Sequence, residues 1–177
     1  MSDSADITLV PASEADIWDV LTWRNAPHVR ENMYTSEPID RETHQAWYTA
    51  ALTDTARELW IIAVGGRKCG LVTLTDIKRT PPSSCSWAFY IGDLDVVGKG
   101  IGSGVERRVL ERVFARLELD VLRCEVLAFN TPVIGLHRKF GFEETGRIEN
   151  RITRDGDGID AICLELTRER WRARQEV

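Results

Sequence analysis

One glycine-dense run, Val96-Val97-Gly98-Lys99-Gly100-Ile101-Gly102-Ser103, restricts the fold more tightly than any other stretch of this chain. Before it, Ser84–Ile91 reads as a strand that stops at Gly92. After it, Ile101, Val105, Val109, Leu110, Val113, Phe114 and Leu117 recur at helical spacing. They form one apolar stripe of a helix expected over 103–117, with Glu106, Arg107, Glu111 and Arg112 outside it. The glycines allow a tight turn, and the helix start brings unpaired N–H groups and a partial positive charge to one point. Such a point suits a pyrophosphate. A plain left-handed turn before a helix would also explain Gly98 and Gly100. A dinucleotide fingerprint fits poorly here, and a Walker loop fails because no Lys-Ser/Thr pair closes it.

The remaining elements define the class. Residues 7–10 form a short strand stopped by Pro11, and Ser13 with Asp16 resembles a cap for a helix carrying Ile17, Val20 and Leu21. Residues 25–40 have no period and gather His28, Arg30, Glu31, Asn32, Met33 and Tyr34, as functional loops do. Asp40 caps a second helix, reaching about residue 51, that carries His44, Trp47 and Tyr48. Strands follow at Glu58–Val64, 69–76, Ser84–Ile91, 121–129, 144–153 and 159–166, with a helix at 132–140. The order β-α-α-β-β-β-α-β-α-β-β implies an α+β fold, a mixed and mostly antiparallel sheet flanked by helices. A single domain over 1–177 is expected, since no repeat or linker divides the chain.

Composition narrows the function. Hydrophobic residues make up 43% of the chain, enough for a real core. Basic minus acidic residues, 23 − 28, gives a net charge of −5, which argues against nucleic acid as a partner. No apolar run reaches membrane length, and the polar start MSDSADIT has no leader pattern. The four cysteines (Cys69, Cys85, Cys124, Cys163) are scattered among apolar neighbours without a CxxC pair. Buried thiols in a reducing cytoplasm are expected, with neither a disulfide framework nor a metal site.

About thirty residues after the glycine loop comes Asn130-Thr131-Pro132-Val133-Ile134-Gly135-Leu136-His137-Arg138-Lys139-Phe140-Gly141-Phe142. Loop, amphipathic helix, strand ending in Asn130 and helix ending in Phe-Gly-Phe resemble, in order and separation, the GNAT superfamily of acetyl-CoA-dependent acetyltransferases. The resemblance covers about 58–166 well and the N-terminal third more loosely. It implies a splayed mixed sheet and acetyl-CoA as cosubstrate. The coenzyme would enter where two central strands part, its pantetheine along Phe89, Tyr90 and Ile91 and its pyrophosphate on Val97, Gly98, Lys99, Gly100, Ile101, Gly102 and Ser103. Asn130 would orient a water or the coenzyme's amide, or simply cap a turn. The family pattern puts Gln or Arg where this chain has Val97. It often puts Tyr after the leucine of the last helix, where this chain has His137.

Acetyl transfer to an amine needs a polarised carbonyl, a neutral amine and a proton for the departing thiolate. A backbone N–H near Tyr90 or Ile91 suits the first task. His137 at the motif's tyrosine position is expected to supply the thiolate proton; a helix-surface histidine is the bland alternative. Glu125, a carboxylate within an apolar strand, is expected to take the amine's proton, or else to pair with Arg123 on the same face.

For the acceptor, Trp23-Arg24-Asn25, Val29-Arg30, Asn32-Met33, His44 with Trp47, and Leu74-Thr75-Asp76-Ile77 resemble the group that acetylates a nucleotide-linked amino sugar in the pseudaminic acid pathway. By that resemblance Arg30 and His44 would grip the diphosphate. Met33 and Tyr90 would pack on the sugar or base, with Trp47 and Thr75 nearby. A ribosomal-protein N-terminus or a polyamine acetylated by the same fold stays open as the acceptor. So do a non-catalytic acyl-CoA-binding module and a homodimer.

Overall fold

The computed structural model describes residues 6–96 and 100–175, so Val97, Gly98 and Lys99 lie outside the described residues. Seven strands form one sheet: β1 (Ile7–Pro11), β2 (Glu58–Val64), β3 (Arg67–Lys78), β4 (Ser84–Ile91), β5 (Val121–Leu127), β6 (Glu143–Arg154) and β7 (Asp157–Thr167), in the order β1-β2-β3-β4-β5-β7-β6. Every neighbouring pair is antiparallel except β4 with β5. That parallel pair needs a crossover, and the amphipathic helix α4 (Ile101–Leu110) supplies it. The expected α+β sheet flanked by helices is the observed fold. Among the described residues no helix is long and apolar enough to cross a membrane.

Helices α1 (Ile17–Asn25), α2 (Pro27–Arg30) and α3 (Arg41–Thr53) lie in the N-terminal third, and α5 (Thr131–Lys139) and α6 (Arg168–Ala173) follow β5 and β7. The short α2 falls inside the unpatterned loop, and α6 extends the chain past the last expected strand. Caps behave as their residue types require. Thr43 N–H donates to Asp40 Oδ1 at 2.8 Å, and Ser13 N–H to the Asp16 carboxylate at 2.9 Å.

Period-two alternation sorts the core into two faces. Leu59, Ile61 and Leu71 pack with Val20, Tyr48 and Ala51 under α1 and α3. Ile62, Val72, Leu74, Cys85 and Trp87 pack with Ile101, Val105, Val109 and Phe114 of the crossover. The apolar stripe of α4 is thus buried as its spacing requires. The helix begins at Ile101, two residues before 103, and its last turns widen into π winding over Glu111–Arg116. One expectation for α4 fails: Glu106 is not outside the stripe but fully buried, at 0% exposure.

Candidate active site

β4 and β5 are paired only from Ser84↔Val121 to Ser86↔Arg123. Beyond that point the strands part, and a cleft of about 710 Å³ opens between them. Register decides which peptide groups face it. Ile91 lies opposite Gly70 of β3, and Gly92 N–H donates to Cys69 O at 2.8 Å. Ile91 therefore sits in the pair whose N–H and C=O point away from β3, into the gap, while those of Tyr90 point at β3. Of the two residues expected to polarise a carbonyl, only Ile91 has its N–H on the cleft side. Its carbonyl accepts from His28 Nε2 at 2.9 Å.

At one end of the gap stands the start of α4. Gly100 takes φ +72°, a left-handed conformation that favours glycine, and Gly104 N–H returns to its carbonyl at 3.2 Å. The N–H groups of Ile101, Gly102 and Ser103 precede that first helical bond and have no partner within the helix. An open strand edge leading to a donor-rich helix start fits a long ligand with an amide-bearing arm and a pyrophosphate, as acetyl-CoA is. Asn130 lines the cleft and is the N-cap residue of α5, its carbonyl accepting from Ile134 N–H at 3.2 Å.

Both proposed proton-handling groups line the cleft. Glu125 Oε2 accepts from the Tyr34 hydroxyl and from Arg151 Nε, the latter at 3.2 Å. Its pairing with Arg123 does not form, because Arg123 turns across the strand to Glu165 at 2.9 Å. Burial first, and then the bond to Glu125, push the Tyr34 hydroxyl well above its ordinary range, so it remains a donor. His137 is no surface residue. Its ring is 3% exposed, edge-on to Trp87 at 5.2 Å, and its Nδ1 lies 2.9 Å from Glu106 Oε1.

A family model described as acetyltransferase (GNAT) domain matches residues 6–143. The chain belongs to the GNAT acetyltransferase family. It is an acetyl-CoA-dependent N-acetyltransferase, with acetyl-CoA as cosubstrate. The uncharacterized prophage-derived N-acetyltransferase YokL of Bacillus subtilis is 35% identical over 103 residues, 58% of this chain and 56% of that protein. An L-methionine sulfoximine/L-methionine sulfone acetyltransferase of Pseudomonas paraeruginosa is 26% identical over 136 residues, 76% of this chain and 78% of that one. Among solved structures, spermidine N-acetyltransferase from Vibrio cholerae, in complex with CoA and spermine, superposes with a TM-score of 0.85 at 20% identity. That match covers 94% of this chain and 98% of the other. At this identity the likeness bears on the GNAT fold alone.

Against the GNAT frame, the expected acceptor residues divide. Met33, Thr75 and Tyr90 line the cleft. Arg30, His44 and Trp47 do not, and this corrects the expectation of a phosphate grip. Arg30 donates to Asn25 O at 2.9 Å and to Ser36 O at 2.7 Å, stapling its own loop. His44 is 2% exposed and bonds Ile17 O at 2.8 Å, and burial lowers its pKa, so it is no cation at neutral pH. Trp47 packs beside it, ring centroids 5.6 Å apart. Sequence reasoning assigned no role to Tyr34, His28, Arg151 or Glu106. Tyr34 and His28 stood in the patternless loop, the one signal available for them.

Proposed function

We propose that this chain acetylates the primary amine of a small acceptor of balanced charge, of the amino acid class. The observation that carries this reading is the pairing of the ionic groups at the acceptor end. Arg123 is neutralised by Glu165, and Glu125 by Arg151. Asp76 is the one lining carboxylate without an ion pair among the described residues. A polyamine calls for several uncompensated carboxylates, and a diphosphate for uncompensated cations. Neither set is present here, and the nucleotide-linked amino sugar loses the support of Arg30 and His44. Two curated relatives support the amino acid class: the sulfoximine/sulfone acetyltransferase already described, and an L-amino acid N-acetyltransferase of Escherichia coli at 24% identity over 110 residues. The four free thiols support a reducing, cytoplasmic setting.

Acetyl-CoA supplies the acyl group as a thioester. Ile91 N–H is the donor for the acyl oxygen, and the start of α4 holds the pyrophosphate through Ile101, Gly102 and Ser103. Glu125, fixed by Tyr34 and Arg151 on Oε2, has Oε1 without a protein partner among the described residues, and this oxygen takes the proton shed by the amine. His137 gives a proton to the departing sulfur from Nε2, its ring nitrogen not engaged by Glu106.

Free-thiol release from acetyl-CoA, measured with a panel of L-amino acids, spermidine, peptides, and amino sugars free and nucleotide-linked, tests the reading. The highest kcat/KM is expected for an amino acid. A higher value for the nucleotide-linked sugar than for its free form, or for spermidine over every amino acid, would overturn the acceptor class.

A further inference from the structure

The residue with the least obvious reason to exist is Glu106. It lies on α4 in the apolar stripe, between buried Val105 and Val109, at 0% exposure. A carboxylate there is costly, and an apolar side chain of similar volume would commonly serve packing as well or better. Its Oε1 meets His137 Nδ1 at 2.9 Å, while its Oε2 is buried with no hydrogen-bond partner among the described residues. One hydrogen bond, to one histidine at the cleft wall, is all that this buried carboxylate makes among the described residues.

We infer that Glu106 is a positioning residue that holds His137 in the one tautomer and orientation from which Nε2 can serve the cleft. This inference rests on the role proposed above for His137. A carboxylate can only accept at Nδ1, so the Nδ1 proton stays on the inner side of the ring. The ring cannot rotate without stranding that carboxylate, and Trp87, edge-on, and Phe142, tilted, pack against it, each with ring centroids 5.2 Å away. Nε2 is left as the nitrogen that exchanges its proton with the cleft. The step starts from the imidazolium, one proton on each ring nitrogen and its charge faced by the Glu106 carboxylate. Once the amine nitrogen has bonded to the acyl carbon and given its proton to Glu125, the carbon–sulfur bond breaks, and sulfur keeps the electron pair and takes the Nε2 proton. The imidazole is left neutral with its Nδ1–H still on Glu106, and solvent returns the Nε2 proton. The same logic orients a histidine through a buried carboxylate in hydrolase triads.

Two variants separate positioning from packing. Glu106→Gln keeps the volume but can offer N–H as well as O to Nδ1. Glu106→Leu keeps the volume and offers neither. Fold is checked by thermal melts and coenzyme affinity by titration, and each variant is also made in a His137→Phe background. The expected result is a fall in kcat of about tenfold or more for both variants, with KM for acetyl-CoA little changed. Ring-nitrogen NMR gives the signature that packing alone would not move. The chain has 3 histidines, so the His137 signals are assignable, and they should change from one tautomer to a mixture in Glu106→Gln. In the His137→Phe background, Glu106→Leu should cost less than about threefold more. If His137→Phe lowers kcat while folded Glu106→Gln and Glu106→Leu stay within about twofold of the parent, positioning by Glu106 is wrong. If His137→Phe itself leaves kcat unchanged, the role of His137 falls, and this inference with it.

Discussion

Tyr34 and Arg151 share one oxygen of Glu125, and the Arg151 guanidinium lies 4.4 Å from the centre of the Tyr34 ring. The arrangement restrains the carboxylate while leaving its second oxygen without a protein partner among the described residues. Glu125→Gln keeps the shape and removes the proposed base, so kcat should fall by roughly 10²–10⁴-fold. Tyr34→Phe removes only one restraint, so its effect should stay near tenfold, with acetyl-CoA affinity intact in both variants. Steady-state kinetics with both substrates varied would check the pair, and a larger loss for Tyr34→Phe than for Glu125→Gln would reverse the assignment. Much of this cluster was not legible in sequence. Tyr34 and Glu125 are 91 residues apart, and Arg151 and Glu125 are 26 apart, so only the folded sheet joins them. His137 could be picked out because it occupies a motif position. Glu106 could not, because a charge beside Arg107 reads as a solvent face until a partner 31 residues away is known. Arg30 and His44 misled for a related reason: their partners are backbone carbonyls, which leave no trace in side-chain pattern.

Among the elements, strands were legible because alternation and turn residues both mark them, and β2 and β4 fall at the expected bounds. The π winding at Glu111–Arg116 was not, since the stripe continues through it with Val113 and Phe114 still buried. A tertiary contact pins this segment. Arg112 donates to both oxygens of Glu58 on β2, at 3.0 and 2.7 Å, and its guanidinium lies 4.9 Å from the Trp60 ring. Burial alone would raise the Glu58 carboxyl, but the bonds from Arg112 and Trp60 outweigh it and hold the group below the usual carboxylate range. A depressed folded value stabilises the protein above the unfolded value, and the contribution is lost as pH falls through the folded one. Glu58→Gln should therefore destabilise by about 1–2 kcal/mol at pH 7. Urea unfolding across pH should show the gap to the parent closing below about pH 4. A gap that stays constant to pH 3 would mean that the charge contributes nothing.

At the scale of the whole molecule, the cleft is lined by strands of the sheet and by Met33 and Tyr34 of the N-terminal third, the proposed acceptor side, which are distant in sequence. One arginine of the β6–β7 hairpin bridges them. Arg154 donates to Glu31 O at 2.8 Å and to Met33 O at 2.9 Å, and its guanidinium lies 5.9 Å from the Phe129 ring. Met33 and Tyr34 line the cleft immediately beyond those carbonyls, so the bridge sets where they stand. Arg154 makes no bond to the Ile91 strand end or to the start of α4, which belong to the sheet and its crossover; the loop reaches Ile91 through His28, not through this arginine. The two halves should respond separately. Arg154→Ala removes two charge-assisted bonds from a half-buried arginine, and loosening the 31–34 segment should raise the acceptor KM about tenfold, or about 1.4 kcal/mol. KM for acetyl-CoA should change by less than about twofold. Bisubstrate kinetics on the folded variant distinguish the cases. An equal rise in both constants would mean that the hairpin supports the whole cleft, and no change in either would mean that the 31–34 segment holds its place without the bridge.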